Sequence, residues 1–220
     1  MSNWVGQSEL VTGRIHYSGP AGENASHRHA ALQLVTEGGG VKFGEEGRFP
    51  APFFIRPMVE HQLEPAAWVE LHLIEPSSRL GQILLDKLPP GPIGHLPEDV
   101  LPLVGEVGTR VETLPPSLTR ALDYLSGEDA MQRTVTDAAR VAGVSVSRLR
   151  AMAKDRLGVS LSRWRLWQAL QAALGHLANG SSVADAAFAA GFSDQAHLTR
   201  SMKTTLGLTP GVVAQTVRRR

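Results

Sequence analysis

The residues able to do chemistry fall into two groups. The first is a set of histidines in the N-terminal third: His27, His29 and His61, with Gln33 nearby. Positions 27, 29, 31 and 33 alternate, so on a strand both histidines and Gln33 share one face. If that face looks into a small barrel, His61 converges on them. Three neutral imidazoles suit zinc, nickel, iron or copper, so a divalent transition metal such as zinc on His27, His29 and His61 is one expectation. Glu70 and His72, alternating in the same way, would add a ligand. A second expectation is a small effector held by His27, His29, Gln33 and His61 without metal. A third is that the histidines are only structural.

The second group lies in the last hundred residues, where one pattern occurs twice. Val135, Ala138-Ala139, Ala142-Gly143, Ser145, Leu149 and Leu157-Gly158 return as Val183, Ala186-Ala187, Ala190-Gly191, Ser193, Leu198 and Leu206-Gly207, offset by 48 and then 49 residues. Val, Ala and Ala at i, i+3 and i+4 share one face, the small alanines let a second helix cross the first closely, glycine makes the turn, and serine caps the second helix. Leu149, Met152 and Ala153 then face inward in one unit, and Leu198 and Met202 in the other. The outward faces carry Ser147, Arg148, Arg150 and Lys154, and Gln195, Ala196, His197, Thr199, Arg200 and Lys203. Arg pairs bidentately with guanine and Gln with adenine in a major groove, while Lys and Thr hold phosphates. Double-stranded DNA is the expected partner.

These groups need elements to position them. Ala25–Val35, Phe53–Ile55 and Trp68–Ile74 read as short strands between Gly/Pro clusters, which predicts a small β-barrel over residues 1–76. Ser77–Leu88 reads as a short helix with an apolar side, a candidate dimerisation surface. The prolines from Pro89 to Pro116 break helices, so residues 77–116 read as a helical and Pro-rich linker, with one helix near Glu98–Val107. From Ser117 the pattern is helical. Ser117 ahead of Leu118–Leu125, Thr134 or Thr136, Ser145, Ser160 or Ser162, Ser182 and Ser193 are the candidate caps, and a long helix over 162–177 joins the repeated units. The expected fold class is α+β in two domains: a small N-terminal barrel, and over residues 117–220 an all-α domain with two helix-turn-helix motifs. Trp164 and Trp167 read as core residues of the long helix.

Charge divides along the same boundary. Residues 1–116 hold 8 Lys/Arg against 14 Asp/Glu, and residues 117–220 hold 14 against 7, a net of −6 and +7. A basic half beside an acidic one fits one domain meeting a polyanion. The absence of cysteine excludes a disulfide scaffold, a cysteine zinc finger and any thiol nucleophile, including a methyl-accepting DNA repair cysteine. No signal-like start and no run of about 18 apolar residues make a cytoplasmic protein without membrane contact the expectation.

The run from Val183 through Ala190-Gly191-Phe192-Ser193-Asp194-Gln195-Ala196-His197-Leu198-Thr199-Arg200 to Lys203, followed by Gly207-Leu208-Thr209-Pro210, resembles the second helix-turn-helix of the AraC/XylS regulators. The first unit and Arg165-Leu166 also fit, so the resemblance covers about residues 117–217. It implies a transcription regulator whose recognition helices enter successive major grooves. Ser147 and Arg150 match the contacting positions of the first helix; Gln195, Ala196, His197 and Arg200 match those of the second. The chain departs from the pattern at Ala151, where Arg is usual, and at Ala153 and Met202, where Phe is frequent. The terminal arginines 218–220 offer phosphate contacts or solvated charge. More loosely, His27-Arg28-His29, Gln33 and Gly40, with Pro57 and His61, resemble the two cupin motifs, with Gln33 where metal-binding cupins carry Glu. The expected function is therefore sequence-specific DNA binding that responds to an effector or metal in the barrel. Homodimer formation, and RNA polymerase contact in an activator, are further expectations. The alternative is a metal-dependent cupin enzyme fused to a DNA-binding tail; Gln33 and the small barrel weigh against it.

Overall fold

The computed structural model describes residues 4–43, 47–105, 114–126 and 130–216. Among these residues the N-terminal part carries nine strands: β1 (Gln7–Val11), β2 (Arg14–Ala21), β3 (Leu32–Glu37), β4 (Gly40–Phe43), β5 (Gly47–Pro50), β6 (Phe53–Ile55), β7 (Gln62–Leu63), β8 (Ala66–Ile74) and β9 (Ile93–His95). Six form an antiparallel sheet in the order β1-β2-β8-β3-β6-β9, and β5-β4-β7 form a second sheet. The sheets face each other without closing into a barrel and share a core of Tyr17, Val35, Val41, Phe53, Leu63 and Val69.

Cross-strand register assigns the faces of the large sheet. Gln33 pairs with Leu73 and Ile15 with Leu73, while His16 pairs with His72 and Leu34 with His72. Paired residues point the same way. The inner face therefore carries Ile15, Tyr17, Gln33, Val35, Leu71 and Leu73, and the outer face carries His16, Leu34, Glu70 and His72. Glu70 and His72 thus lie on the opposite side from Gln33, which corrects their expected part in the His27–His61 site.

The supposed linker is part of this domain. Helix α1 (Arg79–Lys87) is capped by Ser78, whose hydroxyl accepts from the Gly81 N–H. Its Leu80 and Leu84, together with Leu88, Leu96, Val100 and Val104, pack on Leu32, Leu34, Phe54 and Ile74 of the outer face. Strand β9 extends the sheet beyond β6, and a 3-10 turn covers Leu101–Gly105. The stripe expected to dimerise is spent on this internal core. The prolines bound short elements here rather than forming a free tether. The rest of the helix expected near Glu98–Val107, and the arginines 218–220, lie outside the described residues.

The helical part comprises α2 (Pro116–Tyr124), α3 (Val135–Ala142), α4 (Val146–Leu157), α5 (Leu161–Ala178), α6 (Val183–Ala189), α7 (Gln195–Leu206) and α8 (Pro210–Thr216). Thr134, Ser145, Ser160 and Ser182 each accept from the backbone N–H three residues on, as N-caps do. At α7 the cap is Asp194, which accepts from the His197 N–H, rather than Ser193, and α2 starts one residue before Ser117, at Pro116, with no side-chain cap. Trp164 and Trp167 are fully buried in the helical core. The Trp164 indole N–H reaches Ser77 Oγ at 3.3 Å and so ties α5 to the β domain.

Candidate nucleic-acid interface and ligand pocket

Each helix pair crosses on its alanines: Ala138, Ala139 and Ala142 in the first unit and Ala186, Ala187 and Ala190 in the second are buried. Gly143 at φ 70° and Gly191 at φ 80° make the turns, a conformation that side chains disfavour. The second helix of each unit is anchored by Leu149, Met152 and Ala153 or by Leu198 and Met202, all buried. This leaves Ser147, Arg148 and Arg150 exposed on α4, and Gln195, Ala196, Arg200 and Lys203 exposed on α7.

Four expected contacts also have partners within their own units, the first being Ser147, whose Oγ lies 3.1 Å from Ser145 Oγ. Lys154 Nζ turns back to the Gly158 carbonyl at 3.2 Å and closes the C-terminal end of its own helix. Thr199 Oγ1 donates to the Gln195 carbonyl. His197 is half-buried, stacked edge-on against Phe192 at 5.1 Å with Nδ1 beside Ser193. Arg148 and Arg150 on α4, and Gln195, Ala196, Arg200 and Lys203 on α7, are the other expected residues, all exposed. Between them, α5 has 18 residues, about 27 Å at 1.5 Å per residue. Arg165, on α5, donates to the carbonyls of Ala130 and Met131 and holds the loop before α3.

The histidines converge, but not on one strand. Residues 25–31 precede β3, and His27 instead forms an isolated antiparallel bridge with His61, with N–H to carbonyl distances of 2.9 Å both ways. That bridge brings in the residue most distant in sequence. Each ring donates from Nδ1 to a backbone carbonyl: His27 to Ala25 at 2.9 Å, His29 to Ala31 at 3.0 Å, His61 to Val59 at 3.0 Å. Those bonds leave every Nε2 as a lone pair and fix the ring orientations. The three rings are tilted or edge-on to one another, with centroids 4.4 to 5.7 Å apart, and their ligand atoms lie within 4.8 Å of one another.

Gln33 Oε1 sits 2.9 Å from His29 Nε2 and 3.2 Å from His61 Nε2, while Gln33 Nε2 is buried without a partner. An oxygen facing two imidazole lone pairs is satisfied when a cation lies among them; in its absence the amide must turn its NH2 toward the rings. Protonated rings would serve too, but burial opposes them. Burial, with His29 alongside, pushes His27 down to about 4. His29 is lowered by burial against the pull of its Gln33 contact, and His61 by burial and by the other two histidines. The donor set of three neutral nitrogens and one amide oxygen fits a borderline transition metal.

Beside the histidines runs an apolar cavity between the two halves of the molecule. Its walls are Trp4, Tyr17, Leu71 and Leu73 from the β domain and Leu174, Leu206 and Val213 from the helices, and His27, His29 and Gln33 also line it. Sequence reasoning missed this cavity, because it is lined by residues 4 to 216. Ser8 Oγ meets Thr216 Oγ1 across it at 3.0 Å. His16, Glu70 and His72 form a separate cluster on the outer face, with the two rings stacked at 4.6 Å and Glu70 Oε1 3.2 Å from His16 Nε2.

Two helix-turn-helix units joined by one long helix, beside a β domain with an apolar cavity, define the class: a DNA-binding transcription regulator. Residues 138–216 match the family model of a helix-turn-helix domain. The whole two-domain fold is similar to ToxT from Vibrio cholerae, 10% identical, over 93% of this chain and 99% of that one at a TM-score of 0.59. An unsaturated fatty acid-bound ToxT from strain SCE256 is similar at 0.54, 8% identical, over 96% and 99%. A regulator with an AraC-type DNA-binding domain from Chromobacterium violaceum is 27% identical over 48% of this chain and 96% of that one, at 0.43. No curated protein matches the chain. Among the described residues no helix is long and apolar enough to cross a membrane.

Proposed function

We propose that the chain is a cytoplasmic, ligand-responsive regulator that reads double-stranded DNA with α4 and α7, and whose ligand is a divalent transition metal, zinc in the first instance, on His27, His29 and His61. The DNA reading is supported by the exposed faces of Arg148 and Arg150 and of Gln195 and Arg200 at the two ends of α5, suited to major grooves about 34 Å apart. Selection of genomic fragments with the full chain tests it. Binding is expected to be sequence-selective and to weaken steeply with salt; binding with neither property removes it.

The convergence of three neutral imidazoles, with ligand atoms within 4.8 Å of one another and each ring set by an Nδ1–carbonyl bond, supports the metal. With the ion bound, the imidazoles and Gln33 Oε1 supply its ligands and the ion supplies a cross-link between the 25–33 segment and His61. Zinc titration of the wild type against the His27→Ala/His29→Ala double variant tests this; undiminished uptake in the variant refutes it. A second reading rests on the cavity itself. Its apolar walls and the polar groups among them would suit a small apolar effector with a hydrogen-bonding head, and the fatty acid-bound ToxT shows a protein of similar fold taking such a ligand. Displacement of an environment-sensitive fatty-acid probe by candidate effectors, unaffected by zinc, would favour it over the metal.

A further inference from the structure

The β domain grips the C-terminal end of each recognition helix, and the two grips differ. At α4, Gln82 of α1 donates to the Arg156 carbonyl at 2.8 Å. Helix α1 covers the outer face of the sheet, away from the three imidazoles. At α7, the Gly207 carbonyl accepts from the Ala25 N–H at 3.1 Å. Ala25 in turn accepts from His27 Nδ1, so one residue links the recognition helix to a ring of the candidate metal site. The fit is close: a Cβ on Gly207 would stand 2.5 Å from the Ala25 oxygen and 2.8 Å from His27 Nδ1.

Gly158 is the counterpart of Gly207 in the first unit. It caps α4 at φ 72°, as Gly207 caps α7 at φ 71°, yet a Cβ there would meet only Pro57, at 3.9 Å. The repeated cap is thus the same in backbone conformation and opposite in surroundings. Of these two caps, the one that meets a residue of the candidate ligand site is that of the second unit; His29 also packs on Trp167 of α5 at 5.8 Å.

We propose that the site at His27, His29 and His61 acts on DNA through the second helix-turn-helix unit alone, with Gly207 as the positioning residue. This rests on the metal reading above. A ligand shifts an equilibrium only by binding two states unequally. An ion that holds His27 also holds Ala25, and so favours the state in which Gly207 is seated; by reciprocity, DNA on the seated α7 favours the ion. The seat is at the C-terminal end of α7, while Gln195, Ala196 and Arg200 near its start stay exposed. Seating therefore orients the reading face without covering it, and the ion strengthens binding.

The test uses the full chain, zinc chloride and the selected DNA in three forms: intact, with the α4 half-site scrambled, and with the α7 half-site scrambled. Zinc is expected to lower Kd at least about fivefold, the weak end of known couplings, on the intact site and on the α4-scrambled site, and to have no effect on the α7-scrambled site. The response is expected to vanish in Gly207→Ala and to persist in Gly158→Ala, which bears the same backbone strain without the collision. A zinc response that survives scrambling of the α7 half-site, or a full response in Gly207→Ala, overturns the proposal. Equilibrium dialysis separates the two readings. If zinc is not taken up, the metal reading fails, and the linkage is decided on the metal-free variants. Gly207→Ala, or His27→Ala should that variant not fold, must then weaken the intact site and leave the α7-scrambled site unchanged; equal weakening on both overturns it.

Discussion

Acidification from pH 7.5 to 5 is expected to destabilise the metal-free protein by about 4 kcal/mol through His27 and His72 alone. Both residues are buried, at 6% and 5% exposure. Burial first, then neighbouring positive groups, lowers His27 to about 4 and His72 to about 3. At His72 those neighbours are His16 and Arg14. The folded values lie below the unfolded value of about 6.5, so the unfolded chain takes up protons first as the pH falls. Stability is complete above about pH 6.5, is lost between there and the folded values, and changes no further below them. Each ring costs about 1.4 kcal/mol per pH unit, hence about 2 kcal/mol at pH 5. His29 and His61, lowered by burial as well, add in the same direction. Against a typical total of about 5–15 kcal/mol, the fall is large. Urea denaturation with chelator at pH 7.5, 6 and 5 measures it, and His72→Leu should remove about 2 kcal/mol of the pH-dependent loss. A midpoint that stays level to pH 5 would mean the rings are not held neutral in a dry interior, and the argument for free Nε2 lone pairs would go with it.

Three further outcomes follow from named contacts. Arg150→Ala and Arg200→Ala should each relax discrimination at one base pair of the selected site by about 1–3 kcal/mol, read by competition with single-base variants; uniform weakening would make them phosphate contacts instead. Lys154→Ala should leave DNA affinity within about twofold, because its ammonium closes the end of α4 at Gly158, and should lower stability by about 0.3–1 kcal/mol; a large loss of affinity would return Lys154 to the interface. Leu84→Ala should cost about 2–5 kcal/mol in denaturant unfolding, since Leu84 is fully buried between α1 and the sheet; a neutral result would restore residues 77–105 as a linker.

The helical half was legible because its signals are local. A serine or threonine ahead of an apolar periodicity caps the helix that follows, and four such caps stand where the sequence puts them. Two caps differ: α2 starts on Pro116 with no side-chain cap from Ser117, and at α7 the cause is a neighbouring side chain. Asp194, one residue past Ser193, reaches the His197 N–H with a carboxylate, and the Ser193 hydroxyl turns to Asp194 and His197 instead. The charge of an acceptor at a helix start outweighs a hydroxyl one residue earlier. Engagement of side chains on the exposed face was less legible. The spacing that puts Lys154 and Thr199 outward does not say that each is taken up by a carbonyl of its own helix.

The β half shows where spacing stops being sufficient. Alternation states which residues of one strand share a face, but not how two strands are set against each other. Gln33 and His72 both read as pocket residues from alternation alone. The register that places Gln33 opposite Leu73, and Leu34 opposite His72, puts them on opposite faces; a shift of one residue would have reversed this. Likewise the histidines meet because the His27–His61 bridge closes a loop of chain, not because 27 to 33 lie on one strand. That loop ends on Gly207, so the contact joining ligand site to recognition helix spans residues 25 and 207. No local pattern encodes such a contact. A glycine at 207 was already explained by its helix cap, and its twin at 158 needs no other reason. The same residue type at the same φ performs one task at 158 and two at 207, and only the packing around each separates them.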